Sequence, residues 1–148
     1  MTLVRATVSH FLGIAGTPDG EEAQRLRLMV SSHLKDGEFA RLLYDKIGQL
    51  VSPLFAASLD HAVAAGDAVR VRSAPLDLFW FALHTIHMVT LTGLPPEPAL
   101  AYGAGRGARL ELELTEFILR GVGLNAAAIT YHLADTTPSQ PLRAEESA

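Results

Sequence analysis

Between Asp77 and Val89 the chain reads DLFWFALHTIHMV, and after the first residue no side chain carries a formal charge. Projected with a helical period of 3.6 from Pro75 to Thr92, Phe79, Ala82, Ile86 and Val89 share one broad face and Leu76, Trp80 and Leu83 a flank. The third side carries Asp77, Phe81, His84 and Met88. A helix apolar almost all round has to be buried on more than one side. A bundle of about five helices offers few positions that are enclosed completely, so burial against a second copy of the chain is the simplest solution. At 148 residues it forms one domain, a size that hides about 68–70% of the surface exposed by the unfolded chain.

The rest of the sequence is helical in period as well, with turn residues dividing it into about five helices and almost no strand signal. A first helix spans Thr2 to Ile14 and stops at Gly16. Asp19 stands where it can cap a second helix beginning EEAQ, whose Glu21 and Glu22 suit the first turn, and which reaches Lys35. From Glu38 to Ala65 the apolar positions Phe39, Leu42, Leu43, Ile47, Leu50, Val51, Leu54, Phe55, Leu59, Ala62 and Val63 follow helical spacing. Pro53 interrupts the hydrogen bonding there, so the stretch either kinks or restarts with Ser52 as cap, and Gly66 ends it. A fourth helix begins at Pro75 and ends at GLPPEP. The last, RLELELTEFILRG, alternates like a strand at first, but Arg109, Glu113, Glu116 and Arg120 form one helical stripe opposite Leu110, Leu114 and Phe117.

Several classes of function are disfavoured by composition. Twelve Lys plus Arg against sixteen Asp plus Glu, a net charge of −4, leaves no basic footprint for nucleic acid. No cysteine is present, which rules out disulfides and thiolate zinc sites and fits a reducing cytoplasm. The amino terminus lacks the pattern of a secretory signal. Residues 78–94 carry no formal charge, but His84, Thr85, His87, Thr90 and Thr92 argue against a membrane span. The glycine-rich ALAYGAGRGA has neither the preceding strand nor the Gly-Lys-Ser/Thr ending of a phosphate loop and reads as a connection. Residues 134–148 read as a mobile polar tail after a domain spanning 1–133.

The last helix has an apolar arc wider than one neighbour requires. Together with the fourth it predicts an all-α bundle whose last two helices form a four-helix interface in a homodimer, through Phe79, Leu83, Ile86, Leu110, Leu114, Phe117 and Ile118.

LFAASLDHAVAAGDAVRVRSAPLDLFWFALHTIHMV, followed after a loop by RLELELTEFILRGVGL, resembles the carboxy-terminal half of a tetracycline-repressor-type (TetR family) transcriptional regulator. The shared pattern is a long helix with an A-x-x-x-G stop at Ala62 to Gly66, a short polar connection, a first dimerisation helix from Pro75, and a second closing at Leu119 to Gly121. RLRLMVSSHLKDGEFARLLYDKI is similar to the family's effector-domain helices, so the resemblance covers roughly residues 2–124. The family's helix-turn-helix is missing, and Met1 stands where the connection out of that domain would be. DNA binding would thus require a head that these residues do not contain. The resemblance implies an effector-binding and dimerisation domain with a cavity for a small, mostly apolar or aromatic molecule.

Met29, His33, Phe39, Leu43, Tyr44, Ile47, Phe55, Leu59, Trp80 and His84 are the candidate ligand-binding residues, on inward faces of the second, third and fourth helices around the Pro53 bend. Taken singly, each reads more readily as core packing than as a ligand contact; the cavity is a reading of the group, in which Tyr44, Trp80, His33 and His84 would place a few polar tips in an apolar lining. His84 and His87, three positions apart, lack the neighbouring carboxylate of a zinc motif, so neither metal nor cofactor is expected. No serine sits in a nucleophile elbow and no acid pair is spaced for acid–base chemistry, so no catalytic residue is assigned. Two functions remain open: the sensing domain of a regulator, and a headless dimeric protein that carries or sequesters a ligand.

Overall fold

The computed structural model describes residues 2–98, 100, 102 and 107–134. It is all-helical in the order α1 (Thr2–Ala15), α2 (Glu21–Leu34), α3 (Glu38–Ala64), α4 (Pro75–Gly93), α5 (Gly107–Gly121) and α6 (Ala126–Ala134). The five helices read from the sequence are present, with α6 in addition. The predicted tail 134–148 lies outside the described residues except for Ala134, which ends α6, and most of the glycine-rich stretch 99–108 lies outside them as well.

The apolar α4 is surrounded chiefly by its own chain, since α1, α2, α3 and α5 all pack against it. Leu78, Leu83, Ile86, His87 and Thr90 are buried along it. The side carrying Asp77, Phe81, His84 and Met88 faces outward. Thr90, fully enclosed, donates its hydroxyl to the Ile86 carbonyl at 2.9 Å, so its polar atom is satisfied within the helix.

The interior is divided into three clusters. Ile14, Ala23, Leu26, Met29, Ala40 and Leu94 join α1, α2 and α3. Val8, Ile86, Leu114 and Ile118 join α1, α4 and α5. Leu59, Ala68, Leu78 and Val122 close the other end of the bundle. Arg5 on α1 adds a half-buried ion pair to Glu111 on α5, Nε to Oε1 at 3.1 Å.

Local chemistry accounts for most boundaries. Gly37 and Gly66, with φ of 72° and 79°, follow α2 and α3 in the left-handed region that ends helices. Pro75 occupies the first turn of α4, where its missing N–H is no loss. Two expectations need correction. Gly20 rather than Asp19 is the cap position of α2, with no side-chain cap. Helix α3 runs through Pro53 as one element, so there is no restart at Ser52; packing on both sides holds it despite the one hydrogen bond that Pro53 cannot donate.

Asn125 ties the turn after α3 to the start of α6, beside the cluster formed by Leu59, Ala68, Leu78 and Val122. Its Oδ1 accepts the Ala128 N–H at 2.9 Å as the cap of α6, and its Nδ2 donates to the Gly66 carbonyl at 2.7 Å. Its own N–H donates to the Asp67 carbonyl. Asn125→Ala is expected to lower stability by about 1–2 kcal/mol, measurable by urea denaturation, because it removes both side-chain bonds while the Gly66 carbonyl loses its donor.

Candidate ligand cavity

Between the first two clusters the four helices α1 to α4 leave a cavity of about 520 Å³. That lies within the range of small-molecule sites, about 300–1,000 Å³. From α1 it is lined by Leu3, Val4, Thr7, Phe11 and Ile14, and from α2 by Glu22, Arg25, Leu26 and Met29. Helix α3 supplies Phe39, Leu43, Tyr44, Ile47, Val51, Leu54 and Phe55, and α4 supplies Phe79, Ala82, Leu83, Ile86 and His87. The solvent side of the cavity is formed by Leu3, Glu22, Arg25, Phe39 and Leu54, all exposed, and its depth by the buried Ile14, Leu26, Met29, Leu83, Ile86 and His87.

The two formal charges in this lining are turned on each other, with Arg25 Nη1 donating to Glu22 at 2.9 Å while its other terminal nitrogen reaches Glu21. Deeper in, polarity comes from Tyr44 and His87. The Tyr44 hydroxyl stands 2.8 Å from His33 Nε2 and 3.0 Å from His84 Nε2. A hydroxyl has one proton, so it donates to one ring and accepts from the other, fixing complementary tautomers in the two histidines. Trp80 braces this group from behind, its ring 4.8 Å from Tyr44 and stacked on His84 at 6.2 Å. Gly48 lies against the Trp80 ring, close enough that a methyl group added there would touch it.

Titration follows from this packing. Burial raises the Tyr44 phenol above its ordinary 10.0, and burial, then the nearby charge of His33, lowers His84. His87 is only 7% exposed. Burial first, then the charges of His84 and His33, push it from 6.5 to about 4, so it is a neutral imidazole near pH 7. Phe11 meets its ring edge-on at 4.6 Å.

The residues anticipated from sequence divide accordingly. Met29, Phe39, Leu43, Tyr44, Ile47 and Phe55 line the cavity. His33 and His84 reach it through the Tyr44 hydroxyl, Trp80 stands behind that tyrosine, and Leu59 lies in the cluster at the far end of the bundle. Of the residues assigned to a dimer face, Phe79, Leu83 and Ile86 line the cavity. Leu114 and Ile118 pack on Val8 of α1, Leu110 is half-buried, and Phe117 is 66% exposed. Missed were the whole contribution of α1, the lining residues Glu22, Arg25, Leu26, Val51, Leu54 and Ala82, and the place of His87, which the sequence offered only as half of an i,i+3 histidine pair. Among the described residues no three His, Asp or Glu side chains converge as a metal site, and no helix is long and apolar enough to cross a membrane.

No protein-family model matches this chain, and neither a curated protein nor a solved structure does so.

Proposed function

We propose that the chain is a cytoplasmic, dimeric binding module for a small, mostly apolar molecule, of the kind that senses an effector in TetR-type regulators. The observation that carries the binding reading is the cavity of about 520 Å³ lined almost throughout by apolar side chains. The link to transcription is supported by the resemblance in helix spacing alone, and any DNA contact would need a helix-turn-helix that these residues do not contain. A binding role suits this lining better than catalysis, because its charged pair is mutually engaged and faces solvent.

Titration with N-phenyl-1-naphthylamine, a neutral apolar fluorophore, tests the binding role. Enhanced, blue-shifted emission saturating at one site per chain is expected. At 100 times its Kd the probe adds about 2.7 kcal/mol and raises the melting temperature by about 5–10 °C. Ala82→Phe projects a ring into the cavity and should abolish both effects. Absent binding, or binding undiminished in Ala82→Phe, contradicts the reading.

Dimerisation is supported by apolar surface left outside the bundle, with Phe81 and Met88 each 61% exposed on one side of α4 and Phe117 exposed on α5. Sedimentation at micromolar concentration is expected to give a dimer, and Phe117→Asp a folded monomer, since Phe117 contributes little to its own chain's core. A monomeric wild-type chain rules the dimer out.

A further inference from the structure

We infer that the molecule taken by this cavity is uncharged and carries a hydroxyl or carbonyl group that hydrogen-bonds the imidazole of His87, the rest of its body being apolar. This rests on the binding role proposed above and narrows the chemistry of the ligand.

His87 is an expensive residue to keep where it is. Its side chain lines the cavity, it is more than nine-tenths buried, and its Nδ1 has no hydrogen-bond partner among the described residues. Phe11 lies against the ring and Leu83 and Ile86 share its wall on α4, while His84 and His33 stand near enough for their charges to oppose its protonation. An unpaired buried polar group costs about 1–3 kcal/mol, whereas an apolar side chain of similar shape at the same place would be nearly free of that penalty. The nearby Thr90, by contrast, is fully satisfied by its own helix. A partner arriving from the cavity removes the His87 penalty, and the cavity is the open space beside it.

The lining also decides the charge of that partner. The two formally charged residues among the described lining, Glu22 and Arg25, lie at the solvent side and bind each other. A ligand ammonium deep in the cavity would meet no free carboxylate, and a ligand carboxylate only the imidazoles of His33 and His84, already engaged with the Tyr44 hydroxyl, so either charge would be desolvated at a heavy cost. A neutral imidazole presents one N–H and one bare nitrogen, so a hydroxyl can pair with either edge and a carbonyl with the donor edge. Half a turn of the ring about its Cβ–Cγ bond exchanges the positions of nitrogen and carbon with little change of outline, so either nitrogen can be offered within the same packing.

Three probes of one skeleton separate these statements: biphenyl, 4-hydroxybiphenyl and biphenyl-4-carboxylate, each measured by displacement of N-phenyl-1-naphthylamine. The wild-type chain is expected to bind 4-hydroxybiphenyl about 3- to 10-fold tighter than biphenyl, the range of one hydrogen bond, and the carboxylate weakest. In His87→Phe the preference for 4-hydroxybiphenyl over biphenyl should be lost, the ratio of the two affinities falling to about 1. A second measurement needs no variant: in protein labelled with ¹⁵N-histidine, the His87 ring nitrogens should shift with 4-hydroxybiphenyl and stay nearly fixed with biphenyl. Equal displacement by both with unmoved His87 signals overturns the inference and leaves the binding role standing. A preference for the carboxylate overturns the uncharged ligand. Failure of the fluorophore and all three probes to bind overturns the binding role and the inference together.

Discussion

Acidification from pH 7 to pH 4 is expected to destabilise this protein by about 3 kcal/mol through His87 alone. The ring is buried and neutral when folded, with its pKa lowered to about 4, while the unfolded chain protonates near 6.5. Below pH 6.5 the unfolded state therefore binds a proton that the folded state refuses, and stability falls as pH falls until the folded ring also protonates near pH 4. The charges that oppose protonation come from His84 on the same helix and His33 on α2; α1 presents the uncharged Phe11. Carboxylates elsewhere also titrate near pH 4, so the informative quantity is a difference. Urea midpoints of wild type and His87→Leu, followed from pH 7 to 4, should show the wild type losing stability faster, so that the difference between the two shifts steadily against the wild type as pH falls. Parallel curves would show that His87 is readily protonated in the folded chain.

Gly123→Ala is expected to lower stability by about 3 kcal/mol or more, the largest effect of an added methyl group at any of the described glycines. Gly123 has a φ of 101°, in the region that side chains rarely tolerate, and a Cβ there would run into the Val69 carbonyl and lie 2.9 Å from Val71 Cγ2. The obstruction is backbone, and the Gly123 carbonyl itself accepts the Val69 N–H at 2.9 Å. Relief therefore means separating the 66–69 connection from the segment that leads to α6. Gly66→Ala provides the control: its φ is 79°, but nothing lies within 4 Å of an added Cβ. It should lose about 1–2 kcal/mol from backbone strain alone. Equal losses for the two variants would mean that the contact with Val69 relaxes without difficulty.

Helix number and boundaries were largely legible because long 3.6-residue patterns and glycine stops are local signals. Helix α6 was not: AAAITYHLA is short, and its cap Asn125 is held in place by the Gly66 carbonyl, a partner far away in the sequence. Pro53 looked like a boundary since its effect on hydrogen bonding is local, whereas the contacts that carry α3 past it are tertiary. Periodicity correctly reported that Leu83, Ile86, Leu114 and Ile118 face something apolar, yet it cannot distinguish a second chain from α1, whose Val8 packs against Ile86, Leu114 and Ile118. Half of the cavity was visible for the same reason. The inward faces of α2 and α3 could be read one by one, but the wall from α1 depends on how the chain folds back.

The central claim is that an apolar molecule enters the space between α1, α2, α3 and α4, and the three methionines report on it directly. Met29 is buried in the cavity wall and Met88 is exposed on the outer side of α4. In protein labelled with ¹³C at the methionine methyl groups, N-phenyl-1-naphthylamine should shift the Met29 methyl strongly through the ring current of the bound probe, saturating at one equivalent, while Met88 scarcely moves. A Met29 signal that stays in place at saturating probe, or a shift confined to Met88, contradicts the account.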